Sequence, residues 1–374
     1  MSNSSEIKKR ITITDVAEAA GVTKSTVSLA LAGKGKFSPQ TRSKIRRVAQ
    51  RLNYIPDPHA RRLSLGRFNN TIALLVLALD LSVGTKKLQL LQSLLVAAGY
   101  EAPLYASNYG GAASAHEKIE LIKSVCNQQP RAIICATYNL PPGALQLLQR
   151  YQDEGGQVVC YDHAIDLEAD QVIFDRIDNT YQATRHLLDL GHRDISLATG
   201  AGPVGPRLQG FMDALKEFGV KPNDKWLLGS DVTDDARLYS GEYEEGGARL
   251  ATKFLQLKQR PTAVCLLDDH AAVGFAAELE RAGLRVPQDV SVVGHDDLPI
   301  AKYGHLQLTT VTHPVEAIAE SVMQLLNSRL DGYEGSPRKM ILRGELVVRQ
   351  STLPFSKLSS IAKARNRTPV IAGD

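Results

Sequence analysis

The sequence predicts an α/β protein in which a small all-α head precedes a two-lobed core of doubly wound parallel sheets. Charge is the first reason. Residues 1–68 hold 14 Lys and Arg against four acids, a net of +10, whereas the whole chain is +4, so residues 69–374 carry −6. Texture is the second. From Thr71 onward short apolar bursts alternate with longer amphipathic stretches, and strand alternating with helix implies parallel sheets covered on both faces. Size is the third: at 374 residues the chain exceeds one ordinary domain, and its elements outnumber those of one comfortable sheet.

The head, residues 1–57, begins with two short helical patterns that meet at the Gly21-Val22 corner, the sequence shape of a helix-turn-helix. Thr14 is the expected N-cap of a first helix with the apolar face Val16, Ala17 and Ala20. Thr23 is the expected cap of a second that buries Val22, Val27 and Ala30 and turns Lys24, Ser25 and Leu29 outward. Ser38-Pro39 then reads as N-cap and first residue of a third helix, whose Ile45, Val48, Ala49 and Leu52 repeat at helical spacing. Pro56 and Pro58 stop it. A basic head on a mildly acidic body is the footprint of a polyanion-binding module. Residues 58–70 form a linker that contains the short helical run His59 to Leu65, only about two turns long and marginal in water without a partner.

In the core, strands are expected at Ile72 to Leu77, Ala132 to Ala136, Val158 to Tyr161, Ile195 to Ala198, Ala263 to Leu267 and Val290 to Val293. Helices are expected at Lys87 to Ala98, His116 to Cys126, Gly143 to Tyr151, Thr180 to Leu190, Arg207 to Phe218, Ala248 to Leu257 and Ala271 to Ala282. Ligands of such folds sit at the carboxyl ends of the strands. Three strand ends carry acids: Asp162, Asp268-Asp269 and Asp296-Asp297. Acids there also serve as helix N-caps, a role expected first of Asp269.

Several function classes lose support. No apolar run reaches the roughly 20 residues of a membrane span, and Met1 to Thr12 is polar, so a cytoplasmic protein is expected. Cys126, Cys135, Cys160 and Cys265 lack Cys-x-x-Cys spacing and read as reduced packing residues. Gly200 to Gly205 matches G-x-G-x-x-G after a strand, but Pro203 and Pro206 delete backbone N–H groups that a pyrophosphate would need. Asp268-Asp269-His270 with His295-Asp296-Asp297 lacks reinforcing metal-ligand spacing. No cofactor, metal site or catalytic residue is expected.

Further motifs, in order, are Leu187 to Ile195 with Gly191-His192-Arg193, Arg207 with Gly210-Phe211, Leu267 to Gly274, Val286-Pro287 to Asp297 with Gly294-His295-Asp296-Asp297, and Val347 to Thr352. With the head, these resemble the lactose repressor (LacI/GalR-type) family of transcription factors from Ile13 to about Thr352. The resemblance implies a homodimer on palindromic operator DNA, a hinge helix within 58–70, and a core like that of periplasmic sugar-binding proteins. It implies lobe crossings near Phe174 to Arg176, Gln307 to Val311 and Glu334 to Lys339, giving one lobe of residues 71–174 with 308–333 and another of 176–306 with 338–352. Residues 354–374 are then a polar tail without the leucine heptads of a tetramer coil.

On this reading Lys24, Ser25, Thr26 and Leu29 face base edges in the major groove. Thr14, Ser28, Lys36 and Arg42 contact phosphates. Leu63, with Ala60 and Arg61 beside it, enters the minor groove as an apolar wedge. The family commonly carries Arg at the position of Leu29 and Asn at that of Ala32, so the operator sequence is expected to differ. The implied effector is a small polar metabolite, a sugar or sugar derivative, held by Asp162, Arg207, Asp268 and Asp296 through paired hydroxyls, with Tyr243 (or Tyr239) supplying an aromatic face. Asp268 stands where the family often has Asn, and Leu79 to Gly84 lacks the family's Asn-Pro-aromatic loop. A solute-binding protein of transport and a metal-dependent sugar hydrolase are the alternatives.

Overall fold

The computed structural model describes residues 12–31, 37–52, 70–77, 82–107, 114–137, 140–199, 205–229 and 243–358. Residues 1–70 and 71–374 form separate compact units.

In the first unit, α1 (Ile13–Ala20), α2 (Lys24–Leu31) and α3 (Pro39–Arg51) share one small core. The expected N-cap Thr14 is displaced by Thr12. Asp15, three residues after Thr12, accepts from the Thr12 N–H at 2.6 Å and its hydroxyl at 2.8 Å, whereas the third residue after Thr14 is Ala17, which has no acceptor. Gly21 closes α1 at φ +66°, a conformation open to glycine at little cost, with the Val22 N–H on the Ala17 carbonyl at 3.0 Å. The Thr23 hydroxyl caps α2 through the Thr26 N–H at 3.2 Å. Ser38 caps α3 through the Thr41 N–H at 3.1 Å, with Pro39 as its first residue. Val16, Ala20, Val27, Ala30 and Ile45 are fully buried between the three helices.

The second unit contains two six-stranded sheets. In the first lobe, β1 (Ile72–Val76), β2 (Leu104–Ala106), β3 (Ala132–Ala136), β4 (Gln157–Asp162), β5 (Asp170–Phe174) and β11 (Lys339–Leu342) lie in the order β11-β5-β4-β3-β1-β2, all parallel. Its helices are α4 (Ser82–Ala97), α5 (Ala115–Asn127), α6 (Ala144–Asp153) and α12 (Val315–Leu330). Leu91 and Leu95 of α4 meet Ile318 and Val322 of α12 over the sheet.

In the second lobe, β6 (Ile195–Ala198), β7 (Leu227–Leu228), β8 (Ala263–Leu266), β9 (Ser291–Asp296), β10 (Thr309–Thr312) and β12 (Leu346–Val347) lie in the order β12-β10-β9-β8-β6-β7, parallel except for β12. One face carries α7 (Arg176–Asp189) and α8 (Gly205–Glu217), and the other α9 (Tyr243–Gln256) and α10 (Asp269–Arg281), with the short α11 (Pro299–Tyr303) beyond. Helices α9 and α10 touch at glycines. A Cβ on Gly247 would meet the Ala271 carbonyl oxygen at 2.0 Å, and one on Gly274 the Glu244 carbonyl oxygen at 1.9 Å.

The chain passes between lobes three times, and two crossings lie later than expected. The first follows β5, at Asp175. The second is His313-Pro314, because Thr309 to Thr312 pair in register with Val293 to Asp296. The third is 343–345, because Lys339 to Leu342 pair with Gln171 to Phe174. Residues 308–312 therefore belong to the second lobe and 338–342 to the first, each captured by the open edge of a neighbouring strand. The turn before β11 is fixed by Asp170, wholly buried, which accepts from Arg329 Nε at 2.9 Å, Arg338 Nη2 at 2.7 Å and the Arg338 N–H at 2.7 Å. The expected polar tail also begins packed: the Phe355 N–H bonds the Leu190 carbonyl at 3.0 Å and Leu358 is buried.

Candidate DNA-reading helix and effector cleft

On the head, Lys24, Ser25 and Leu29 lie on the outward face of α2, with Leu29 38% exposed. Thr26 and Ser28 are half-buried beside them, and the Thr26 hydroxyl shares a bond with Thr23 at 2.9 Å. Thr14 sits in the first turn of α1 and lines a groove of about 480 Å³ with Glu18, Gly21 and Lys24. Arg42 is half-buried in the first turn of α3. Lys36, Ala60, Arg61 and Leu63 lie outside the described residues.

In the core, the two lobes bring their strand-end acids into one cleft. Asp162 ends β4 and Asp296 ends β9, and these strands hold the same place in the two sheet orders. Both acids adopt positive φ, +91° and +96°. For a residue with a side chain this conformation costs on the order of 1–3 kcal/mol and clusters at functional sites. Asp268 follows β8, but it is Asp268 and not Asp269 that caps α10, through the Ala271 N–H at 2.8 Å. Asp269 is instead wholly buried, accepting from the Thr310 hydroxyl at 2.6 Å and the Leu298 N–H at 2.7 Å. Leu298, two residues beyond β9, meets Asp269, which a cap reading of Asp269 did not foresee.

Three residues that the sequence reading passed over complete the cleft. Lys87 of α4 points its ammonium onto the Asp162 carboxylate. Arg176, the first residue of α7, donates to the Asp162 carbonyl at 3.0 Å, with its guanidinium 3.9 Å from the carboxylate. His313, on the second crossing, has Nδ1 3.1 Å from Asp296 Oδ1 and Nε2 3.4 Å from Lys87 Nζ. Its ring lies 3.9 Å from that of Phe174. Burial, together with the Lys87 charge, lowers the His313 pKa to about 4. The ring is therefore neutral near pH 7, and the contacts assign its proton to Nδ1. The result is one chain of hydrogen bonds: Lys87 donates to Asp162 and to His313 Nε2, and His313 Nδ1–H donates to Asp296.

Electrostatics distinguish the acids. Burial opposes ionisation of Asp162, but Lys87, Arg176 and His313 outweigh it and hold the carboxyl well below its usual range. Asp268 is pushed up to about 6, chiefly by burial, and Asp269 to about 8 for the same reason. Arg207, in the first turn of α8, feels the charges of Asp296 and Asp268. Tyr243 opens α9, its ring 6.2 Å from His270, which in turn meets Glu244 at 2.6 Å. Asp297 pairs with Arg349 at 2.6 Å, and His295 Nδ1 lies 2.6 Å from the Leu266 carbonyl while its Nε2 is buried without a hydrogen-bond partner among the described residues. Among the described residues no three His, Cys, Asp or Glu side chains gather as metal ligands, and no helix is long and apolar enough to cross a membrane.

Sequence signals for the three overlooked residues existed. Lys87 stands in line with Leu91 and Leu95 at four-residue spacing, so a charge occupies a buried helix stripe. Arg176 places a cation at a helix N-terminus, where the helix dipole disfavours it. His313 had only its place before Pro314.

Residues 12–57 match the family described as bacterial regulatory proteins, lacI family, and residues 184–352 match the periplasmic binding protein-like domain. Together these matches support a regulator of LacI/GalR type. The HTH-type transcriptional repressor PurR of Vibrio vulnificus (strain CMCP6) is 28% identical over 344 residues, 91% of this chain and 98% of its own length. PurR of Proteus mirabilis (strain HI4320) is 29% identical over 350 residues, 91% and 96%. Among solved structures, a transcriptional regulator CelR–cellobiose complex superposes with TM-score 0.64 at 25% identity, covering 91% of this chain and all of that one. The lac repressor dimer bound to operator gives 0.68 at 24%, with 92% and 100% covered, a likeness of fold. The chain is thus a DNA-binding transcriptional regulator with a helix-turn-helix head and a core of periplasmic-binding-protein type.

Proposed function

We propose that the protein is a cytoplasmic, homodimeric repressor that reads a palindromic operator through α2 and releases or tightens its grip when a small polar effector enters the cleft between its lobes. The observation that carries this reading is the meeting of Asp162, Arg176, Asp296 and His313 at strand ends of both lobes, two of them next to chain crossings. A ligand that touches groups from both lobes binds differently as the lobes move, which is what coupling to a distant site requires. In this reading Lys24, Ser25, Thr26 and Leu29 meet base edges. Thr14, Ser28, Lys36 and Arg42 meet phosphates, and Ala60, Arg61 and Leu63 act at the hinge. Arg207, Asp268 and Tyr243 complete the effector site. The cellobiose in the CelR complex and the ribose in an Enterococcus faecium relative's structure support a sugar-like effector. A transport protein would leave residues 12–57 without a purpose.

The test takes the full chain, selects its preferred duplex from a random pool, and measures affinity for that duplex with each compound that raises the melting temperature. At least one stabilising compound should change operator affinity several-fold. If every stabilising compound leaves operator affinity unchanged, the coupling is refuted.

A further inference from the structure

We propose that the effector is an oxyanion, a hydroxylated carboxylate or phosphate ester, and that Lys87 and Arg176 together with Arg207 form its anion-binding end. This rests on the cleft being the effector site.

Among the described residues the cations and carboxylates of the cleft are unevenly paired. One carboxylate, Asp162, faces both Lys87 and Arg176. The neutral His313 occupies Asp296 Oδ1. Asp268 spends one oxygen on the α10 cap. Among the described residues the Arg207 guanidinium, which is half-buried, makes no hydrogen bond or ion pair. A guanidinium carries five donors in a planar fork suited to carboxylate and phosphate. With no protein acceptor among the described residues, the fork is open to an acceptor from a ligand.

The three cations also share one signature. Burial depresses the pKa of Lys87, of Arg176 (to about 10) and of Arg207, despite the acids nearby. A negative charge brought among them would favour the charged form of each. A neutral sugar offers only dipoles to this end of the cleft, and its hydroxyls would compete with Asp162 for Lys87 without supplying charge.

Two aromatic rings beside the network are already occupied. The aromatic rings beside the network, Tyr161 under Lys87 at 5.5 Å and Phe174 under Arg176 at 5.2 Å, are already covered by cations. At this end of the cleft those two rings face cations, so charge and hydrogen bonds are what it offers a ligand.

The test uses matched pairs on the full-length protein at constant ionic strength: D-gluconate against D-sorbitol, glucose 6-phosphate against glucose, and inorganic phosphate alone. Thermal shift and calorimetric titration are the readouts. At least one anion should stabilise the protein while its neutral partner at equal concentration does not. The carboxylate and phosphate arms show which oxyanion fits. Lys87→Met removes one member of a buried pair and carries some risk of misfolding. Arg207→Gln removes a group with no acceptor among the described residues and should fold normally. Each should weaken the anion about tenfold or more, equivalent to ~1.4 kcal/mol.

The proposal is overturned if a neutral partner binds as well as its anion, or if an anion binds equally to wild type and to Arg207→Gln. It is also overturned if no anion, including phosphate at tens of millimolar, stabilises wild type. A neutral compound that binds and changes operator affinity would refute the oxyanion while leaving the regulatory reading intact. An oxyanion that binds through Arg207 and leaves operator affinity unchanged would do the reverse.

Discussion

Asp170→Asn should destabilise the core strongly for so small a change. The carboxylate is 0% exposed and receives Arg329 Nε at 2.9 Å, Arg329 Nη2 at 3.0 Å, Arg338 Nη2 at 2.7 Å and the Arg338 backbone N–H at 2.7 Å. Removing one partner of a buried ion pair costs about 3–5 kcal/mol, because the other is left charged and unpaired. Here the guanidinium groups keep 13% and 31% exposure, so water can partly replace the lost oxygen, and the lower end, about 3 kcal/mol, is expected. For a core of this size that corresponds to roughly 6–12 °C in melting temperature. Burial alone would raise the carboxyl pKa, but the bonds from Arg329 and Arg338 outweigh it and hold the group below its usual range. The stabilisation is therefore present above the unfolded pKa, about 3.9, and is lost as pH falls through the lower folded value. Denaturant melts of wild type and variant at pH 7 and pH 3.5 should show the gap narrowing at the lower pH. A double-mutant cycle with Arg338→Gln isolates the pairwise part. A variant within about 0.5 kcal/mol of wild type at pH 7, inside ordinary surface-substitution scatter, refutes the reasoning.

Three further outcomes are expected. Gly274→Ala should lower stability by about 1–3 kcal/mol, although alanine in a helix interior normally gains about 1 kcal/mol: its Cβ would lie 1.9 Å from the Glu244 carbonyl oxygen, and a melting temperature at or above wild type contradicts the close α9–α10 approach. Leu29→Arg should raise preference for guanine at one operator position by about 1–3 kcal/mol, read by comparing selected duplexes, and an unchanged base preference would remove Leu29 from the reading face. His313→Gln should flatten the acid side of the stability profile: with a folded pKa of about 4 against about 6.5 unfolded, wild type loses stability as pH falls from 6.5 towards 4. The variant lacks that contribution, on the order of 2 kcal/mol, and parallel profiles over this window would show that the ring is not buried and neutral.

The head was legible because its information is local. Capping residues and apolar spacing within a few turns define α1 to α3, and the one slip, Thr14 for Thr12, concerns which residue Asp15 answers. The main strands of both sheets were legible as apolar bursts, but the late strands were not. Lys339 to Leu342 alternates partly exposed residues at a sheet edge, and Thr309 to Thr312 is polar by sequence yet largely buried. Their lobe is set by which edge they meet, so two crossings were displaced. Asp162 and Asp296 could be seen because acids after apolar strands stand out. Lys87 and His313 were obscured because their partners lie 75 and 17 residues away, and nothing local distinguishes a lysine in a helix from a solvated one except the stripe that it interrupts.

The equivalence of Asp162 and Asp296 gives the cleft its logic. Two lobes with the same strand order each present a carboxylate from the third strand, held in the same strained backbone conformation. Left alone, two buried carboxylates facing one cleft would repel and drive the lobes apart. The chain from Asp162 through Lys87 and His313 to Asp296 converts that repulsion into a bridge, and its central ring sits on a crossing segment. A ligand that takes Lys87 or Arg176 from Asp162 therefore acts on the same residues that join the lobes. Because His313 has one proton and one lone pair to offer while neutral, the bridge has a single polarity, and protonating the ring removes its acceptor for Lys87. A ligand bound as proposed would link binding and lobe geometry through one shared set of hydrogen bonds, without need of a separate relay across the core.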